Sequence, residues 1–329
     1  MSSRTIAIAI AQAGGLVEDI DANMATLADL VRTAAAPTAD EGAPDLVVLP
    51  ELITTPYFCT THEVDRSGWA QPIPGPATAI LADVARECGT AIAFGMFERT
   101  VDGTTHNSVA ILTADGDVVD WHTATGELTP AYRKLSLPAS KVGDIDIDEK
   151  YHFAPGPAPV TVDLLGTRFG AVICYDRSFP EYWGVARLAG AEVMLAIVSS
   201  LGTREALFLA ELQTRAMESQ TWVIAANRGG PEHLDGTTVS YFGLSCVIAP
   251  NGTIVAQAPA HEAGAVLRAT VDLDEVTRTR VAFPLMRDRR PEVMHQLAAL
   301  SDRSLTPNPI GVAAGTMSIQ GLATSGGRW

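Results

Sequence analysis

Basic residues are scarce in this chain: 23 Lys plus Arg stand against 38 Asp plus Glu, for a formal net charge of −15. Such a surface repels phosphate backbones and anionic membranes, so nucleic acid and lipid are disfavoured as partners. A small anionic substrate stays open, because a pocket can be locally basic. Cysteine is also sparse. The four (Cys59, Cys88, Cys174 and Cys246) lie far apart, with no C-x-x-C pair and no zinc-type spacing. They are expected to be reduced thiols in a cytoplasmic protein, with no metal bound. No apolar run approaches the ~20 residues that span a bilayer. Linkers rich in Ser, Pro or charge are missing too, so nothing cuts the chain in two. The N-terminal "MSSRTIAIAIAQAGG" loosely mimics a signal peptide, but Ile6, Ile8 and Ile10 alternate as in a strand.

What the chain has in quantity is apolar residue, 47% of the total, enough to build a large core. Strand and helix signals alternate. "TIAIAIAQ" reads as a strand, "DANMATLADLVRTAA" as a helix, and "DLVVLPE" as a short strand buried on both faces. "PATAILADVARECG" is a helix stopped at Gly89, followed by "TAIAFGMFER" and by a hairpin around Asp115-Gly116. After residue 158 the cycle repeats, through "RFGAVIC", "YWGVARLAG", "AEVMLAIVSS" and "REALFLAELQTRAMESQ", to a closing run of strands. Alternation with short connections predicts an α/β fold with helices covering a mixed sheet. The proline-punctuated stretch 128–158 has no period and is expected to be an irregular functional segment. Residues 298–329, small, polar and Gly-rich, are expected to be an arm or tail beyond a single domain at 1–297.

Three ionisable residues sit where an apolar strand or a proline-punctuated loop ends: Glu51 after "DLVVLP", Lys134 in "YRKLSLP" and Cys174 after "RFGAVI". Strand tips of this kind line the ligand crevice in α/β sheets. Each residue alone has a plainer reading, since free cysteines are commonly buried and strand-end carboxylates commonly cap helices.

Together these stretches resemble the carbon–nitrogen hydrolase family, also called the nitrilase superfamily. The resemblance is carried by "VVLPEL", "YRKLSLP" and "VICYDRSFPE", with "YHFAPGPAPV", "LQTRAMESQTWVIAANR", "GLSCVIAPNGTIVA" and "FPLMRDRRPE" in the family's order over residues 4–296. It implies a four-layer α-β-β-α sandwich and hydrolysis of an amide or ureide without metal or organic cofactor. Cys174 would be the nucleophile and Glu51 the general base and acid. Lys134 would stabilise the oxyanion, and Glu149, before "F-x-P-G", would be a second carboxylate that holds Lys134 or the substrate amine in place. Asp146 and Asp148 are acidic neighbours of Glu149. The backbone N–H of Tyr175, with Arg177, Tyr57 and Asn227, is expected at the substrate. In the branches that hydrolyse N-carbamoyl amino acids, an arginine at the position of Arg177 binds the substrate carboxylate. The plainer alternative is an ion pair with Glu181 or Asp176.

Departures from the family pattern keep the substrate open. Ser136 stands where a histidine is common, and Ser178 where D-carbamoylases have a second arginine. Tyr175-Asp176 replaces the Trp-Glu of nitrilases proper. An N-carbamoyl amino acid or carboxylate-bearing amide is therefore expected first, then an aliphatic or ω-amide, with a nitrile last. A papain-like pairing of Cys174 with His152 or His233 is the rival within thiol chemistry. A silent small-molecule binder on the same fold is the rival outside it. The resemblance further implies a homodimer or larger homo-oligomer.

Overall fold

The structure is a computed structural model. It describes residues 4–60, 64–142, 144–202 and 204–304, with only the backbone for 302–304. The first half runs β1 (Thr5–Gln12), α1 (Ile20–Ala35), β2 (Leu46–Val48), α2 (Pro76–Cys88), β3 (Ala91–Arg99) and β4 (Thr105–Leu112). Short elements follow: β5 (Trp121–Thr123), β6 (Leu128–Thr129), β7 (Tyr132–Arg133), β8 (Ala139–Val142), β9 (Ile145–Asp148) and α3 (Glu149–His152). The second half begins with β10 (Val160–Leu164), β11 (Thr167–Ile173), α4 (Pro180–Leu188), β12 (Val193–Val198), α5 (Glu205–Ser219) and β13 (Trp222–Asn227). It ends with β14 (Gly229–Leu234), β15 (Thr237–Phe242), β16 (Cys246–Ile248), β17 (Ile254–Gln257), β18 (Ala265–Asp272) and α6 (Leu273–Ala282). The chain divides after Phe283 into a second, small unit, which holds α7 (Leu285–Asp288) and α8 (Pro291–Ser304). The first residues of the segment expected as an arm thus belong to a helix, and those from 305 lie outside the described residues.

Two sheets carry the first unit. One has strand order β18-β1-β2-β3-β4-β7 and the other β17-β16-β13-β12-β11-β10-β5-β6. The centre of each is parallel: β1, β2 and β3 in the first, and β11, β12 and β13 in the second. Side-chain alternation along the strands sorts the core into layers. On β1, Ile6, Ile8 and Ile10 face inward and pack with Phe169, Ile173 and Leu195 of the other sheet. Ala9 and Ala11 face outward, beneath Met24, Leu27 and Val31 of α1 and Leu81 and Val84 of α2. On β12, Met194, Ala196 and Val198 lie beneath Trp183 of α4 and Phe208 and Leu212 of α5. The result is helix, sheet, sheet, helix: the expected four-layer sandwich. Strands covered on both faces read as unbroken apolar runs, hence "LVV" and "VMLAIV".

Three local expectations change. The turn at Asp115-Gly116 forms, with Gly116 at φ 81° and Leu112 bridging Val118. The chain then leaves the first sheet, because Trp121 is buried between the sheets and β5 pairs with β10 in the second. The stretch 128–158 is ordered as short strands, including a β8–β9 hairpin whose Ile147 packs with Phe58 and Leu201. A β14–β15 hairpin turning at Asp235-Gly236 was not anticipated. Among the described residues no helix is long and apolar enough to cross a membrane.

Candidate active site

Glu51 lies just beyond β2, in a turn that needs unusual backbone. Leu52 has φ 48°, and the Glu51 carbonyl accepts from Arg228 Nε (3.1 Å), Arg228 Nη2 (3.0 Å) and Ser199 Oγ (3.1 Å). Arg228 is itself fully buried, paired with Glu232 at 2.6 Å, and also donates to the carbonyls of Leu52 and Thr55. From β3, Gly95 closes on the same turn. A Cβ there would meet Glu51 Cα at 2.6 Å and Leu52 N at 2.7 Å, so only glycine lets the two backbones approach.

Lys134 follows β7 at the sheet edge. Its N–H donates to Asn107 O, and its carbonyl accepts from Gly156 N, so β4 and the "APGP" turn hold its backbone from both sides. The side chain is wholly buried. Nζ donates to Glu51 Oε1 at 2.8 Å and to Glu149 Oε1 at 2.7 Å. Asn107 Nδ2 adds a 2.7 Å bond to Glu51 Oε1, and Tyr57 Oη one of the same length to Glu149 Oε1. The outer oxygens, Glu51 Oε2 and Glu149 Oε2, are buried without a hydrogen-bond partner among the described residues. Buried polar atoms are normally paired, so these two oxygens are acceptors open to a substrate or water.

The acidic neighbours of Glu149 sort themselves. Asp148 caps α3 by accepting from Tyr151 N, and Asp146 is exposed, 3.8 Å from Lys141. Burial lifts the Glu149 carboxyl to about 7, with Lys134 opposing and Glu51 reinforcing the rise. For Lys134, burial pulls the ammonium down, but Glu149 and Glu51 outweigh it and hold the group well above its usual range. One ammonium between two carboxylates leaves an excess negative charge, which a buried site relieves by keeping a proton.

Cys174 follows β11 at φ 44° and opens a 3₁₀ turn, Cys174–Ser178. Positive φ is rare for a residue with a side chain and points to a functional site when the fold enforces it. The enforcing group is Asp176, fully buried, which accepts from Ile173 N, Leu135 N, Ser136 N and Tyr132 Oη. One carboxylate therefore ties the turn after Cys174 to the loop after Lys134. Burial lifts the Cys174 thiol to about 11, Glu51 adding to the rise and Lys134 and Arg177 opposing it.

The chain that builds this Glu–Lys–Glu cluster beside a thiol at a strand tip matches a known family at the sequence level. The profile described as carbon–nitrogen hydrolase covers residues 7–281. The chain belongs to the carbon–nitrogen hydrolase family. It is 31% identical over 296 residues to an N-carbamoylputrescine amidase of Solanum lycopersicum, covering 86% of this chain and 92% of that one. It is 30% identical to a citrullinase of Francisella tularensis, over 77% of this chain and 86% of the relative. Among solved structures, a carbon–nitrogen hydrolase from Helicobacter pylori G27 superposes with TM-score 0.78 at 22% identity, covering 90% of this chain and 98% of that one. The chain is an amidohydrolase.

The remaining expected site residues of this hydrolase have varied surroundings. Arg177 pairs with neither Glu181 nor Asp176; its Nε donates to Glu211 of α5 at 2.8 Å. Tyr175 is exposed beside it, and its ring packs on Phe179. Tyr57 meets Glu149, as described. Asn227, at the end of β13, gives its amide to Ser200 O and Gly243 O and accepts from Ser200 N, so it holds the loop after β12. The ring of His152 packs on Phe58, and His233 bonds Thr238 on the exposed hairpin. Neither histidine is hydrogen-bonded to Cys174. Asn107, Asp176 and Arg228 were missed. The contacts that tie them to the site reach 56, 40 and 177 residues along the sequence, to Glu51, Ser136 and Glu51, so no local pattern marks that role.

Proposed function

We propose that this hydrolase cleaves an N-carbamoyl amino acid or a carboxylate-bearing amide through a Cys174 thioester, releasing ammonia. The observation that carries the mechanism is the buried Lys134 ammonium bridging Glu51 and Glu149, each with one oxygen left without a partner among the described residues. Glu51 Oε2 takes the thiol proton as Cys174 Sγ attacks the carbonyl or carbamoyl carbon. Two of the three Nζ protons of Lys134 are held by the carboxylates, and the third, with the Tyr175 backbone N–H, meets the oxyanion. Glu51 returns the proton to the departing amine, then activates the water that cleaves the thioester. Glu149 keeps Lys134 aimed, and Tyr57 keeps Glu149 aimed.

Support for a carboxylate on the substrate comes from a cavity of about 490 Å³ next to the Cys174 turn. Its lining includes Arg177, Arg204 and Arg215 against the single carboxylate of Glu211. A locally cationic cavity in a chain of net charge −15 suits a small anion. The relatives named N-carbamoylputrescine amidase and citrullinase support a ureide as the scissile group. The test is ammonia release from purified protein over a panel of ureides, amides and nitriles, with and without a carboxylate. No ammonia from any amide or ureide, or full activity in Cys174→Ala, would overturn the reading.

We further infer that copies assemble through α4 and α5, where Val185, Leu188 and Leu207 are exposed. A monomer in sedimentation analysis would exclude this. The four cysteines are all unpaired, which supports a reducing, cytoplasmic setting.

A further inference from the structure

The guanidinium of Arg177 is divided among three settings. Nε is held by Glu211 Oε2 at 2.8 Å. Nη1 donates to the Cys174 carbonyl at 2.9 Å and lies 3.7 Å from Cys174 Sγ, within reach of an N–H···S hydrogen bond. Nη2 has no acceptor among the described residues. The group also lies 5.4 Å from the Phe208 ring, and the side chain is 15% exposed. A carboxylate, a carbonyl and an aromatic face therefore fix the fork against the thiol.

We propose that Arg177 is a catalytic residue acting on the sulfur itself: Nη1 donates to the Cys174 thiolate, and Glu211 holds the guanidinium in that pose. This rests on Cys174 being the nucleophile. It differs from binding a substrate carboxylate, for which Nη2 is available.

The charges that face Cys174 place a second cation at the sulfur. Glu51, from the turn after β2, and Glu149, from α3, are acidic; Lys134, after β7, is cationic but shared between those two carboxylates. Arg177, from the nucleophile's own turn, adds a second cation, with Glu211 of α5 behind it. When the thiol proton passes to Glu51 Oε2, the charge left on Sγ meets Nη1 at once. The same contact receives the thiolate when water breaks the thioester. Donors placed before the charge appears need no reorganisation as it forms.

The experiment is alkylation of the whole protein by iodoacetamide, an uncharged reagent, as a function of pH, with the label mapped by mass spectrometry. Arg177→Met should raise the midpoint for Cys174 labelling by about one pH unit or more, as loss of an adjacent opposite charge does. Arg177→Lys should bring it back toward wild type. Glu211→Gln keeps a side-chain oxygen to accept from Nε while removing the neutralising charge, so it should lower the midpoint. This variant carries the test if Arg177→Met melts too low to study. A guanidinium that turns from Sγ toward a carboxylate site in solution moves none of these midpoints. Wild-type midpoints in Arg177→Met, or in Glu211→Gln, would overturn the proposal. Label on other cysteines alone would overturn the nucleophile assignment, and this proposal with it.

Discussion

The Nζ of Lys134 lies 2.8 Å from Oε1 of Glu51, and neither side chain has any exposure to solvent. A buried ion pair is costly to assemble and costlier to break, because removing one partner leaves an uncompensated charge. Here two carboxylates depend on one cation, since Glu149 shares the same ammonium.

Lys134→Met is therefore expected to lower stability by about 3–5 kcal/mol, which urea unfolding measures. It should also lower turnover on the best substrate by at least about 100-fold, through loss of an oxyanion donor. A variant that is folded and near wild-type in rate contradicts the role given to Lys134.

Glu51→Gln keeps the shape of the side chain and the backbone contacts to Arg228, but its amide cannot take a proton. Turnover should fall by about 10²–10⁴-fold with the fold intact. Steady-state kinetics alongside circular dichroism would check this. Loss of turnover that tracks loss of fold would instead make Glu51 a structural residue.

A pH dependence of stability follows from Glu149. Its native carboxyl is lifted to about 7 from an ordinary 4.5. Between those values the folded state holds a proton that the unfolded state has lost. The contribution is thus complete below about 4.5 and fades as pH rises through about 7. Urea midpoints measured across that window should fall with pH, and Glu149→Gln should flatten the slope. An equally steep slope in the variant would assign it to other groups.

Gly95→Ala tests how closely Glu51 must be placed. Every near neighbour of the added Cβ is backbone, at 2.6–2.8 Å, so the Glu51 turn itself must move. The overpacking should cost about 1–3 kcal/mol. A displacement near 1 Å at the base should cost about 100-fold in kcat/KM. Stopped-flow or steady-state rates at a temperature where the variant stays folded separate the two effects.

Much of this protein was legible before folding was considered. Apolar runs such as "DLVVLP" and "VMLAIV" mark strands covered on both faces, and α2 declares its ends with Pro76 and Gly89. Glu51, Lys134 and Cys174 stand out because each follows a strand or a proline-marked loop. The β14–β15 hairpin carried a usable signal in Asp235-Gly236 that went unread.

Other features exist only in three dimensions. Asp176 reads as one more acidic residue until the fold brings Tyr132, Leu135 and Ser136 to it. Arg228 reads as surface charge until it is buried under the Glu51 turn. Arg177 had two acidic candidates within four residues, and its partner is Glu211, 34 residues on. Sequence pattern by itself marked the strands, the helices and the three candidate groups at their ends, because burial and strand ends follow local apolar pattern, whereas the second sheet was implied only by the family resemblance. Tertiary structure alone decided which carboxylate each cation faces, because that depends on where separate strands and helices meet in space.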